Sequence, residues 1–411
     1  MKKILRRTKS LNLIFLLTLS AAVNSPALDI SSPLPNWVDT SREKADGKPP
    51  SVSADKAVKA APSGFRIPAE YESVAAVVMS WAGYTGMLSQ IAKAAAGPGG
   101  AQVWVAEGPE SLSGVPAGSY SKINAPIDTV WVRDYGPFGL SGGGEAGIVD
   151  TIYRHYQYRR NDDAMPVNLG KDKGIDVYAA NLILDGGNFM VDSKGNLFTT
   201  KRTYLWNSSM GEGQVDSILK SSFKVKNIHT FEYAGYPGEP EDGTGHIDMF
   251  MKLLSDDTVL ISTAEQEPFK SNAEKAIEFF KKNTAPNGRK YRIITVKGWA
   301  DEGGWGGGTW YTYTNSLIVN NVVLMPSYSG HEKENEAAAK AYKEGLSGAT
   351  VVQINSDDSI TSGGSIHCVT QTIPYYAGPK SGGEDDSDGR QVEDSGPGDN
   401  EYVERLMQSR F

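Results

Sequence analysis

The chain has 411 residues, 39% of them hydrophobic, with 41 basic and 49 acidic side chains and a formal charge of −8. That is enough apolar material for one large core or for two or three smaller ones. An acidic chain argues against nucleic acid as a partner, and no window holds the roughly 18 uninterrupted apolar residues of a membrane-spanning helix. Its single cysteine excludes an internal disulfide.

Five basic residues, Lys2, Lys3, Arg6, Arg7 and Lys9, precede an apolar run from Leu11 to Val23, and Ser25-Pro26-Ala27 follows with small side chains. This order predicts a signal peptide over residues 1–27 and export to the periplasm or beyond, with no stable membrane insertion after cleavage. The remaining chain would carry 36 basic against 49 acidic residues, a surface that favours cationic ligands weakly. Residues 28–63 are rich in Pro, Ser, Lys, Asp and Ala without apolar periodicity, and are expected to form a flexible arm. Residues 379–411 are acidic and glycine-rich, a composition expected to stay disordered.

Residues 64–378 read as one domain of short strands and fewer helices. Strand candidates follow one another as AAVVMSW, QVWVAE, TVWVRDY, GIVDTIY, NLILDGG, GNLFTT, IHTFEY, IDMFMKLL, TVLIST, RIITVKG, SLIVNNVVLMP, ATVVQINS and SIHCVTQ. Apolar stripes predict helices over Ala273–Lys282 and Glu332–Gly345. Strands exceed helices by about two to one, which fits ββαβ-like units better than a doubly wound parallel sheet. The stretch Trp299–Thr314, dense in Gly and aromatics, reads either as a mobile lid or as a long ordered loop.

Four stretches concentrate chemistry at Gly-rich turns: WVRDYGPFG, LDGGNFMVD, GTGHIDMF and SGGSIHCVTQ. Strand alternation would turn His246 and Asp248 to one face, suited to proton transfer beside a cation, and would set His367 and Cys368 on opposite faces. His246 is therefore the better partner for the thiol, and His367 the better structural histidine. Asp134, Asp185 and Asp248 converging on one thiol would be costly to bury unless a cation neutralises them. One Cys, one His and scattered Asp lack the spacing of a zinc site, and there is no calcium loop, so neither metal nor cofactor is expected. A substrate guanidinium, planar and permanently charged, meets the same need.

The ordered motifs FRIPAEYESVAAVVMSW, WVRDYGP, DGGNFMVD, GNLFTT, GTGHIDMF, YTNSLIVNNVVLMP and GGSIHCVTQ, between Phe65 and Tyr376, resemble the agmatine deiminase and Porphyromonas-type peptidylarginine deiminase family. The resemblance implies an α/β fold, the pentein propeller of five ββαβ units around a central substrate channel. It implies Cys368 as nucleophile, His246 as general acid and base, and Asp134 and Asp248 as guanidinium ligands. Asp185, Asn315 and Trp131 would line the substrate site. Arg154, Arg159 and Arg160 stand where the peptidylarginine enzymes hold a substrate carboxylate, or else on a solvated loop. Together with predicted export, they favour peptidyl or C-terminal arginine, giving citrulline. Agmatine, giving N-carbamoylputrescine, is the alternative; a cysteine peptidase or a non-catalytic binding protein are rivals outside the family.

Overall fold

The computed structural model describes residues 31–50, 61–233, 243–301 and 309–376. The expected signal peptide, the acidic tail over 379–411 and the middle of the Trp299–Thr314 stretch lie outside the described residues. The two ends of that stretch form a short antiparallel pair, Trp299–Ala300 with Trp310–Tyr311.

Five small sheets repeat one plan: an antiparallel strand pair, then a crossover helix, then a third strand parallel to the second. In blade two the strands are Phe138–Gly142, Glu145–Ile152 and Asp176–Ile183, with the helix Arg160–Lys173. Blade three uses Met190–Val191, Asn196–Thr200 and Asn227–Phe231 with the helix Glu212–Phe223. Met251–Ser255, Thr258–Thr263 and Arg292–Lys297 form blade four around Phe269–Lys282. Blade five takes Leu317–Val319, Val322–Ser327 and Thr350–Asn355 with Glu332–Gly345.

Blade one is assembled from both ends of the domain. Val74–Ser80 and Gln102–Ala106 run parallel on either side of the helix Thr85–Ala96 in sequence, while the antiparallel partner of Val74–Ser80 is Gln371–Pro374. An added strand, Tyr120–Ile123, extends this sheet. The arrangement is the pentein fold, with the ring shut by a strand that arrives about 290 residues after its partner.

Each helix buries one stripe on its sheet. In Glu332–Gly345 the buried positions are Asn335, Ala338, Ala339, Ala341 and Tyr342, the three-and-four spacing of one helical face. Glu332 and Glu334 occupy its first turn and Lys343 its last, as the helix dipole favours. The inner strands are rich in Val, Ile and Leu where both faces are covered: Val77, Val78, Val103, Val323 and Leu324 are inaccessible to solvent.

Three predicted strands are not strands where it matters. TVWVRDY becomes a helical turn at Val132–Tyr135, IDMF a 3-10 turn at Ile247–Met249, and SIHCVT a run of turns before Gln371. Of the expected arm, residues 31–50 are described, and Asn36 is wholly buried.

Ile373, inaccessible within the closing strand, links the two ends of the ring. Ile373→Ala should lower unfolding free energy by about 2–5 kcal/mol, read by denaturant titration; a loss below the lower bound would show that the closure carries little stability.

Candidate active site

The candidate residues share one structural address. Each sits on a turn immediately before the first strand of an antiparallel pair. Asp134 precedes Phe138–Gly142, Asp185 precedes Met190–Val191, and His246 with Asp248 precedes Met251–Ser255. Asn315 precedes Leu317–Val319, and Cys368 precedes Gln371–Pro374. Five equivalent positions of a five-blade ring thereby deliver their side chains to one chamber, and all six residues have no solvent exposure.

Glycines mark its centre. A Cβ on Gly187 would come within 2.5 Å of His246 Nδ1, 3.0 Å of Asp134 Oδ1 and 3.2 Å of Asp248 Oδ2, so these three groups surround a point that only hydrogen leaves open. A Cβ on Gly364 would lie 2.5 Å from Cys368 Sγ and 3.1 Å from the Trp131 ring, which places Trp131 in the wall beside the thiol.

The thiol is braced by Asn315. Its Nδ2 donates to Cys368 Sγ at 3.1 Å and to Asp248 Oδ2 at 3.0 Å, while its Oδ1 accepts from the Ser365 backbone N–H at 2.8 Å. Arg133 locks the same loop from the other side, donating to the His367 carbonyl at 3.2 Å and to Gln371 Oε1 at 3.0 Å. Burial, with Asp248 and Asp134 nearby, pushes the Cys368 thiol well above its ordinary pKa, and the Asn315 hydrogen bond offsets only part of this. Without a bound cation these surroundings favour the neutral thiol.

His246 lies between two carboxylates, Nδ1 3.5 Å from Asp134 and Nε2 3.3 Å from Asp185. Burial alone would lower its pKa, but Asp134 and Asp185 raise it above the ordinary histidine value. Both ring nitrogens are buried without a hydrogen-bond partner, as is Asp248 Oδ1. Native interiors seldom leave such groups unpaired, and here they cluster around the open point at Gly187. Burial also raises the pKa of Asp134, against His246; for Asp185 burial is outweighed by Arg154, whose Nε lies 2.8 Å away, and its pKa falls.

His367 turns away from the thiol. Its Nδ1 meets Asp248 Oδ2 at 2.6 Å and its Nε2 meets Glu70 Oε2 at 2.6 Å. It is a hydrogen-bonded histidine that positions Asp248, as the sequence suggested, although a tight turn rather than strand alternation separates it from Cys368. Glu70 is held in turn by Lys252 at 2.7 Å. Burial opposes the charge on Glu70, yet Lys252 and His367 keep its pKa well below the usual range.

Of the three arginines assigned to a carboxylate clamp, only Arg154 reaches the chamber, where it pairs with Asp185 and lies 5.3 Å from the centre of the Trp206 ring. Arg159 does not: it is wholly buried against Glu43 and the backbone of residues 35–37. Arg160 pairs with Asp46 at 3.4 Å. Both hold the N-terminal arm. The sequence reading also missed Asn36, Glu70, Arg133 and Trp206; Glu70 and Arg133 had a signal, since they stand inside the quoted FRIPAEYESVAAVVMSW and WVRDYGP motifs. Among the described residues one group, Asp134, Asp185 and His246, offers three ligand atoms within 4.8 Å of one another, the geometry of a cation site.

The fold and this chamber together define a guanidine-modifying pentein. Residues 66–374 match the model of the Porphyromonas-type peptidyl-arginine deiminase family, and the chain belongs to that family of hydrolytic enzymes acting on guanidino groups. A Marinomonas relative, provisionally named an agmatine deiminase, is 25% identical over 365 residues, covering 76% of this chain and 95% of its own. The solved agmatine deiminase of Enterococcus faecalis superposes with a TM-score of 0.67 at 21% identity, covering 76% of this chain and 96% of that one. A cysteine-to-serine variant of the C. jejuni agmatine deiminase, solved with substrate bound, gives a TM-score of 0.62 at 20% identity, covering 77% and 98%.

Two outcomes follow from this geometry. Gly187→Ala should retain the circular-dichroism spectrum and melting temperature within a few degrees but lose turnover at least about a hundredfold, because a methyl fills the reaction centre. Alkylation of Cys368 by neutral chloroacetamide should still be rising with pH beyond about 8.5, where an ordinary thiol reaches half-ionisation. A plateau below about pH 8 would contradict the raised thiol.

Proposed function

We propose that the protein hydrolyses the terminal guanidinium of a small guanidine, with agmatine as the first candidate, releasing ammonia and a ureido product. The observation that carries this reading is the buried Asp248 Oδ1, left without a hydrogen-bond partner, gathered with Asp134 and His246 around one open point beside Cys368. A planar cation with several N–H donors satisfies the carboxylates and restores charge balance in an enclosed chamber. The enclosure of every reacting side chain favours a small substrate over an arginine within a polypeptide, and the named relatives favour agmatine.

The chemistry runs in two halves. Cys368 loses its proton to solvent once the guanidinium is bound, since a cation between Asp134 and Asp248 offsets the burial and the carboxylate repulsion that keep the thiol neutral. Its sulfur bonds to the guanidinium carbon. His246, held protonated by its two carboxylates, gives a proton to the departing nitrogen, and ammonia leaves. The neutral imidazole then takes a proton from water as the water oxygen bonds to the same carbon. The carbon–sulfur bond breaks, the remaining hydroxyl proton passes to the departing sulfur, the ureido product leaves, and the neutral thiol and the imidazolium are restored.

A terminal arginine is the second reading, and one observation favours it: Arg154 is a cation already at the chamber, able to meet a substrate carboxylate. Export, expected from the first 27 residues, would bring such peptides within reach.

Incubation of the full chain with agmatine, free arginine and C-terminal-arginine peptides distinguishes these readings through ammonia and ureido product. Agmatine should be turned over at least about tenfold more efficiently than the others, a margin of roughly 1.4 kcal/mol; preference for the peptides would reverse the assignment. Cys368→Ser should abolish turnover while agmatine binding persists by calorimetry. Activity should be unchanged by EDTA, whereas its loss and recovery with a divalent metal would assign the Asp134, Asp185 and His246 group to an ion.

A further inference from the structure

Residues 33–37, Pro-Leu-Pro-Asn-Trp, precede the family-matched domain and yet reach its reaction chamber. Asn36 is wholly buried there. Its Nδ2 donates to Asp134 Oδ2 at 2.7 Å, and its Oδ1 accepts from Arg154 Nη2 at 2.8 Å. Its backbone N–H donates to the carbonyl of Ser362, in the loop that leads to the nucleophile, at 2.8 Å.

Main-chain bonds hold the segment in place. Arg159 donates to the carbonyls of Pro35, Asn36 and Trp37 at 2.8, 3.2 and 2.7 Å, and Trp131 Nε1 donates to the Leu34 carbonyl at 2.9 Å. Glu43 pairs with Arg159 at 2.7 Å and fixes the guanidinium in that orientation. Gly363, at φ +103°, leaves room for the contact: a Cβ there would lie 2.8 Å from Asn36 Cβ and 3.5 Å from the Trp37 ring.

The bond from Asn36 to Asp134 has the form of a substrate bond. A carboxamide is planar and presents N–H to a carboxylate oxygen, as one arm of a guanidinium does, but it carries no charge. It satisfies Asp134 in the resting protein, where an unpaired buried carboxylate would be expensive. It loses to a true guanidinium, whose charge-assisted bond is about twice as strong.

We propose that Asn36 is an internal stand-in for the substrate: the arm takes Asp134 Oδ2, the second oxygen a bidentate guanidinium would need, and substrate displaces it. The proposal rests on the reading of Asp134 as a guanidinium ligand. Occupancy by the arm scales the apparent substrate affinity down by the fraction of open molecules, and leaves the rate of the bound complex unaltered because the arm is out when chemistry occurs.

The test uses the full chain carrying Asn36→Ala or Asn36→Asp, the latter of native size but with a negative charge facing Asp134. Steady-state turnover of agmatine and alkylation of Cys368 by 2-chloroacetamidine and by neutral chloroacetamide are measured, with melting temperature as the control for folding. Both variants should lower KM by about fivefold or more with kcat within about twofold, and should speed both alkylations by about fivefold or more. A fall in kcat at constant KM, or unchanged alkylation rates, would overturn the proposal and make Asn36 a fixed positioning residue. If the thiol shows no preference for the cationic reagent in any form, the guanidinium reading fails, while the neutral reagent still reports whether the arm blocks the chamber.

Discussion

Burying three carboxylates, a histidine and a thiol in one closed chamber is the constraint on which this molecule turns. Asp134, Asp185 and Asp248 are all inaccessible, and each must be opposed by a cation, a donor or a bound proton. The resident protein answers only part of the demand: Arg154 serves Asp185, His246 is shared by Asp134 and Asp185, and His367 with Asn315 serves one oxygen of Asp248. The residual demand has the charge and hydrogen-bonding form of a guanidinium. Ground-state discomfort and substrate recognition are in this sense one quantity, and the raised thiol pKa is another expression of it.

The ring supplies the precision that such crowding needs. Each functional turn leads directly into a buried strand, so the position of each side chain is set by a sheet and not by a loop. Behind these turns, a second layer ties blades together: Arg133 joins the Asp134 turn to the Cys368 turn, and Glu70 with His367 joins the approach to blade one to the Asp248 turn. A change in any one of these supports would move two reacting groups relative to each other.

Much of the framework was readable in the sequence. Glu332–Gly345 carries a clean helical stripe with charges matched to its ends, and strands such as TVLIST and RIITVK are short apolar runs between turn residues. The reading failed at TVWVRDY, IDMF and SIHCVT, three of the stretches that carry the candidate residues. Their alternation of apolar and polar residues imitates a strand, but long-range polar bonds, such as those from Arg133, Asn315 and His367, bend the backbone into turns. Local periodicity holds no record of partners so far away in the chain. Asn36 was hidden for the same reason: a Pro-, Ser- and Lys-rich context reads as an arm, and only the fold reveals that Arg159 and Ser362 wait for its backbone. The arginines Arg154, Arg159 and Arg160 were close enough in sequence to seem one device, yet they divide between chamber and arm.

The strand that shuts the ring has a consequence in time. Cys368 stands just before Gln371–Pro374, the last strand of the ring to be synthesised, and that strand pairs with the first. Its surroundings are contributed by every other blade, so no shorter intermediate of the growing chain can assemble them. During synthesis the polypeptide thus passes through no stage in which a partly built ring encloses this sulfur in the complete chamber. The chamber around this sulfur is completed in the final step of folding, by the closure of a circle.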